Sequence, residues 1–316
     1  MTVTAVRIPV LQGTEAWLDA RRGLVTATDI PVLLGLSPYR CEADLADDKL
    51  GRAARQEPSV AMRRGKALEP LMAELYREAT GQNVRRQHAM VRHHEIEWAA
   101  ASLDATAPGL VVVEFKTTGS RQRFADGLPD DVAAQVAWEL GVSGYRRADV
   151  LVMVGDDVLP VFEVQPDPQL FADLVTIAED FRRRLAAGGP FSRDLNRIRR
   201  DHPADDGTEM AADGELDEAA RALLDVRAAI ARHEETEKQL VRAITDRMGD
   251  AALLTGSGWH ATWKATRDRT ETDWRAVAES LLATLGETDR AAVVAPFTSV
   301  RRGMRPFRLV ADTKEA

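Results

Sequence analysis

One stretch limits what this chain can become: the apolar run Val111-Val112-Val113 that continues into Glu114-Phe115-Lys116. Read as a strand, it places Glu114 and Lys116 on one face and Val113 and Phe115 on the other, because successive side chains alternate. An acid and a base then lie side by side at a strand end. Asp104 precedes them by a short loop. If it ends a neighbouring strand, two carboxylates and a main-chain carbonyl make an oxygen cage suited to Mg2+. Lys116 beside that cage can orient or deprotonate a water. Taken alone, the pattern fits a solvated edge strand with two charges better, so the rest of the chain has to decide.

At 316 residues the chain can bury a core without disulfides or structural metals. Its single cysteine, Cys41, excludes an internal disulfide framework and points to a reducing compartment. The start Met1-Thr2-Val3-Thr4 lacks the charged and apolar regions of a secretory leader, and no run of about 20 apolar residues offers a membrane span. A cytoplasmic location is expected. The net charge of -8 argues against a protein that coats nucleic acid over its whole surface. Arginine pairs such as Arg21-Arg22, Arg63-Arg64 and Arg85-Arg86 still leave room for a local basic channel.

In order, Thr14 can cap a helix that ends near Gly23, and Leu24 to Asp29 opens a second helix over Ile30, Leu33 and Leu34. Arg21 and Thr28 bracket that turn, where a guanidinium and a hydroxyl near a helix start make a phosphate pocket. By spacing alone, Thr28 reads more simply as an N-cap and Arg21 as a surface residue. A helix from Cys41 to Leu50 follows, then a longer one from Val60 to Thr80 with Glu69 flanking its apolar stripe and Gly65 one turn before. The adjacent His93 and His94 read as loop residues, since neighbours on an extended chain face opposite ways. Beyond the Glu114-Lys116 strand, a helix starting at Pro129 turns Gln135 toward the strand ends, Ala148 to Val154 and Leu159 to Val164 read as strands, and Pro168 to Ala187 closes the unit as a helix. The order is that of an α/β fold with a mixed sheet. The expected organisation is a domain over 1–190, a linker over 191–214 and a C-terminal α+β region over 215–316 built on a long amphipathic helix. The apolar seam of that helix serves a partner or its own domain, and a basic last strand is expected at 301–310.

Assembled, the motifs resemble the YqaJ-type viral recombinase nucleases, relatives of lambda exonuclease in the PD-(D/E)XK superfamily. The resemblance runs from Gln12 to about Val164. It rests on Gln12-Gly13-Thr14-Glu15-Ala16-Trp17 with Arg21, Val25-Thr26-Ala27-Thr28-Asp29, Gly65-Lys66-Ala67-Leu68-Glu69-Pro70, Ser102-Leu103-Asp104, Glu114-Phe115-Lys116-Thr117-Thr118, and Pro129 followed by Gln135. It departs from the family pattern at Thr28, where Ser is frequent, and at Val132, where an aromatic is usual.

The resemblance implies that Asp104, Glu114 and the Phe115 carbonyl bind Mg2+, with Mn2+ as a substitute, and that Lys116 assists the attacking water. Glu69 would complete the acidic site and help hold a second ion, Gln135 would orient Lys116 or substrate, and Arg21 with Thr28 would hold a terminal 5'-phosphate. It also implies digestion of linear double-stranded DNA from its ends, 5'-to-3', to leave a 3' single strand for an annealing protein. Lambda exonuclease works as a ring-shaped trimer, so a homo-oligomer is expected. Rival readings are an endonuclease of the same fold and a non-catalytic scaffold that binds DNA ends. The iron-sulfur branch of the superfamily needs about four cysteines and is excluded by Cys41 standing alone.

Overall fold

The computed structural model describes residues 5–11, 13–53, 57–87, 89–265 and 270–299. Gln12 and the basic strand expected at 301–310 lie outside the described residues. The chain divides into two units, Met1–Asp201 and His202–Ala316.

In the first unit, β1 (Val6–Leu11) leads to α1 (Glu15–Arg22), capped where Thr14 Oγ1 accepts from Trp17 N at 3.3 Å. The chain then passes through β2 (Val25–Thr26), a 3-10 turn over Ala27–Asp29 and α2 (Ile30–Leu33). Asp29 Oδ2 accepts from Thr26 N at 2.8 Å and from Thr26 Oγ1 at 2.9 Å. The helix entry is therefore closed by Thr26 and Asp29, not by Thr28, whose hydroxyl is left for other work.

Helices α3 (Glu42–Lys49) and α4 (Val60–Thr80) precede the short strands β3 (Arg85–Arg86), β4 (Ala89–Arg92), β5 (Ala99–Ser102) and β6 (Ala105–Ala107). Strand β7 (Val111–Thr118) holds the apolar run that leads into Glu114-Phe115-Lys116. It is followed by α5 (Asp130–Ser143), β8 (Arg147–Val154), β9 (Asp157–Val158) and β10 (Phe162–Val164). The strand expected from Leu159 begins only at Phe162, because Pro160 has no N–H for a ladder. Helices α6 (Pro168–Ala187) and α7 (Leu195–Asp201) end the unit. Arg197 and Arg200 of α7 pair with Asp44 of α3, which draws part of the stretch 191–214 into this unit.

Two sheets form. One runs β1-β4-β5-β2 and the other β10-β8-β7-β6-β3, with β9 alongside β8. The β7–β8 pair is parallel and the β6–β7 pair antiparallel, so the second sheet is mixed, as expected. Its central strands have helices on both faces. Val112, Val150 and Val152 pack with Val136 and Trp138 of α5, while Val113, Phe115 and Leu151 pack with Met72 and Tyr76 of α4. Fully burying such side chains contributes roughly 1.5–3 kcal/mol each. The alternation along β7 thus assigns its even-numbered residues, Glu114 and Lys116 among them, to the α5 side. Gly141 lets α5 approach α6, since a Cβ there would stand 2.0 Å from the Phe171 ring.

The second unit comprises α8 (Gly214–Met248), the hairpin β11 (Leu253–Gly256) and β12 (Trp259–Thr262), α9 (Trp274–Ala283) and α10 (Glu287–Val294). Among the described residues no helix is long and apolar enough to cross a membrane.

Candidate active site

Asp104 and Glu114 meet because of strand register. Ala105 of β6 lies opposite Val113 of β7, and one further step along that antiparallel ladder places Asp104 opposite Glu114. Asp104 Oδ2 accepts from Phe115 N at 3.0 Å, which fixes its carboxyl against the start of the polar half of β7. Burial, and after it the charge of Glu114, pushes the Asp104 carboxyl well above the usual carboxylate range. Acidic groups are crowded here beyond what nearby positive charge offsets.

On the α5 side, the Lys116 ammonium pairs with Glu114 Oε1 at 2.9 Å and donates to Gln135 Oε1 at 2.7 Å. Gln135 Nε2 donates to Glu114 Oε1 at 2.8 Å. The amide thus bridges acid and base, and its orientation is dictated by them. Burial pulls the Lys116 proton off, but Glu114 outweighs it and the net displacement is upward. Lys116 is held as a cation.

A residue that the motif spacing did not single out completes this group. Glu139 lies one turn beyond Gln135, is fully buried, and Oε1 accepts from Gln135 Nε2 at 2.8 Å. Its Oε2 is buried without a hydrogen-bond partner. Burial first, and then Glu114, pushes its carboxyl well above the usual range. In the sequence it passes for an ordinary helical glutamate; the signal was its place on the Gln135 face, four residues on.

Glu69 stands differently. Its carboxylate is held by Arg86 at 2.9 Å and by Lys66 at 3.0 Å. Its charge adds to the upward push on Asp104. A Cβ at Gly65 would meet Thr117 Oγ1 at 3.7 Å, an ordinary contact, so the room that the missing side chain leaves is not required by any close approach.

The chemistry of the donors fits a hard divalent cation. Asp104, Glu114 and the Phe115 carbonyl offer oxygen only, and the crowded negative charge is what such an ion relieves. Among the described residues no three carboxylate, histidine or cysteine side chains converge into a ready cage. Two carboxylates and a carbonyl suit Mg2+, which keeps several waters, better than an ion that demands a full protein shell.

A second cluster forms where α1 meets β2. Arg21 Nη2 donates to Thr28 Oγ1 at 2.9 Å and to Thr26 Oγ1 at 3.0 Å, with its guanidinium 4.6 Å over the Trp17 ring. Beneath it Lys49, which no motif spacing marks, is buried and donates to Asp29 Oδ2 and Leu24 O, both at 2.6 Å, and to Arg21 O at 2.9 Å. Burial works against the Asp29 charge, but Lys49 and Arg21 outweigh it and hold the carboxyl below its usual range.

Residues 16–146 match the model of the YqaJ-like viral recombinase domain, and that segment contains every candidate residue from Arg21 to Glu139. The Bacillus subtilis (strain 168) protein YqaJ is 30% identical over 183 residues, 55% of this chain and 57% of that protein. The chain therefore spans about 57% of the length of the curated relative it matches. Among solved structures, an alkaline exonuclease (LHK-Exo) from Laribacter hongkongensis aligns with a TM-score of 0.47 at 22% identity, over 60% of this chain and 97% of that one. A phage-related exonuclease from Haemophilus somnus aligns with a TM-score of 0.41 at 12% identity, over 52% of this chain and 96% of that one. The resemblance drawn from motif order is borne out.

Proposed function

We propose that this chain is a Mg2+-dependent exodeoxyribonuclease that hydrolyses linear double-stranded DNA 5'-to-3' from a 5'-phosphorylated end, leaving 3' single strands for recombination by annealing. One observation carries the reading: Lys116 is clamped between Glu114 and Gln135 on the strand whose next neighbour supplies Asp104.

In this reading Asp104, Glu114 and the Phe115 carbonyl hold the ion, with Mn2+ able to replace it, and Glu69 stands close enough to influence a second. When bound, such an ion supplies Lewis acidity: it offsets phosphate charge and acidifies water. Lys116, kept cationic by Glu114, orients the attacking water and steadies charge building on the scissile phosphate through an N–H not spent on Gln135. Gln135 fixes the direction of that ammonium. Arg21 and Thr28 receive the terminal 5'-phosphate, the guanidinium as a cationic donor and the hydroxyl as a neutral one. The partners in this reading are DNA ends, a single-strand annealing protein and further copies of the chain, in the cytoplasm of a bacterial or phage-infected cell.

The test is time-resolved digestion of linear duplex carrying a 5'-phosphate on one strand only, in Mg2+ or chelator, with native protein and Lys116→Ala. Metal-dependent release of mononucleotides from the phosphorylated strand, abolished by the substitution, is expected. Cleavage of covalently closed circles would instead establish an endonuclease. Linear DNA bound but intact under every condition would leave an end-binding scaffold.

A further inference from the structure

Helix α8 runs for 35 residues, about 50 Å, and none of the other described elements of its own unit packs along its length. Its apolar side chains recur at alternating three- and four-residue steps. Leu216, Leu223, Ile230 and Ile244 fall on one seven-residue series, and Val226 and Leu240 on the companion series three positions later. Val226, Ile230 and Leu240 are each more than half exposed. An exposed apolar seam at this spacing on a helix this long has the pattern of one strand of a coiled coil.

The seam is interrupted twice in its middle, by His233 on the companion series and by Glu237 on the first, both exposed. Their positions discriminate between partners. A parallel pairing of two copies would stack Glu237 on Glu237 and His233 on His233. An antiparallel pairing with its two-fold axis at position 235 sets His233 of each copy against Glu237 of the other, because the two residues lie symmetrically about that point. The same axis brings Ile230 against Leu240 and Val226 against Ile244, so the apolar layers flanking the central cross-pairs meet apolar layers, while Leu223 meets the stem of Arg247 and Leu216 lies beyond the overlap. On one flank of the seam Ala222, Ala229, Thr236 and Ala243 keep side chains small, which permits close approach on that side.

We propose that α8 is a self-association surface whose occupant is α8 of a second copy of this chain, antiparallel, in the register fixed by the His233–Glu237 cross-pairs. The proposal rests on the second unit alone and does not depend on the activity proposed for the first.

Oxidative crosslinking of the full chain reads out both partner and direction. Chains carrying Val226→Cys alone or Ile244→Cys alone are expected to stay uncrosslinked, and a mixture of the two to give disulfide-linked dimer. The native chain, whose Cys41 is buried, serves as the blank. His233→Glu, which opposes two glutamates at each cross-pair, is expected to lower the crosslinked yield by about tenfold. Adding Glu237→His to it restores the cross-pairs and the yield, which separates pairing from helix content measured by circular dichroism. Crosslinking of Val226→Cys with itself would overturn the antiparallel arrangement. No crosslinking in the mixture, with α8 still helical, would overturn self-association and leave the seam covered by another segment or partner.

Discussion

The two clusters of the first unit are made of the same materials in opposite proportion. Around Glu114, two more carboxyl groups, Asp104 and Glu139, face a single cation, Lys116, and both are pushed well above the usual carboxylate range. Around Asp29, two cations, Lys49 and Arg21, face a single carboxylate that is held below its usual range. The first cluster has negative charge to spare and the second positive. In a low-dielectric setting, unspent charge selects ligands of opposite sign, which is why the proposed reading gives a divalent cation to one site and a phosphate to the other. One side chain carries the surplus in each case: the Asp104 carboxyl, and the guanidinium of Arg21, whose main-chain carbonyl is already occupied by Lys49.

The comparison breaks first if Glu114→Gln leaves cation binding intact. Glu114 organises both Lys116 and Gln135, so the substitution is expected to abolish Mg2+ binding by calorimetry and to lower nuclease turnover by about 10^3- to 10^4-fold. The counterpart substitution, Asp29→Asn, strikes stability. It leaves Lys49 buried with an uncompensated charge, and a loss of about 3–5 kcal/mol is expected in denaturant unfolding at pH 7. The sign of its pH dependence is fixed. A carboxyl whose folded-state pKa lies below its ordinary 3.8 contributes stability above that value and loses it as pH falls through the folded value. Native and Asp29→Asn curves should therefore converge only well into acid.

How much of this was legible depended on whether a partner is near in sequence or in register. The two faces of β7 followed from alternation, and Gln135 from its helix. Asp104 became a neighbour of Glu114 through the ladder that sets Ala105 opposite Val113, which a strand reading can anticipate. Lys49 could not be anticipated, because two of its three acceptors are main-chain oxygens, of Arg21 and Leu24, which carry no residue signature. By spacing Thr28 reads as a cap, yet Thr26, two residues earlier, offers the same chemistry, and only the bond from Thr26 to Asp29 tells them apart. Gly141 reads as a weak point in a helix until the Phe171 ring is seen to fill the place of its missing Cβ. The pairing of Glu69 with Arg86 needed β3 and α4 brought side by side, which local pattern does not report.

A smaller effect is expected from Arg21→Ala. A charged hydrogen bond contributes about 1.5–3 kcal/mol, so preference for 5'-phosphorylated over 5'-hydroxyl ends should fall roughly 10- to 100-fold, with the rate on unphosphorylated ends unchanged. An unchanged preference would remove phosphate from the comparison and leave Arg21 as a brace for Thr26 and Thr28.

The smallest effect tests whether the acidic cluster carries surplus charge at all. The Glu139 carboxyl lies well above its ordinary 4.5, so the folded chain holds that proton more tightly than the unfolded chain. The stability this brings is complete below about pH 4.5 and declines as pH rises through the folded value, the reverse of Asp29. Glutamine at 139 keeps the shape and still offers an oxygen to Gln135 Nε2, but it has no proton to lose. Glu139→Gln should match the native protein near pH 4 and exceed it by about 1 kcal/mol at pH 7 in metal-free buffer. Glu139→Leu lacks the oxygen, frees the Gln135 amide to turn, and should lower turnover while the glutamine variant preserves it. If both variants titrate like the native protein, Glu139 contributes nothing to the charge surplus, and Asp104 and Glu114 carry it alone.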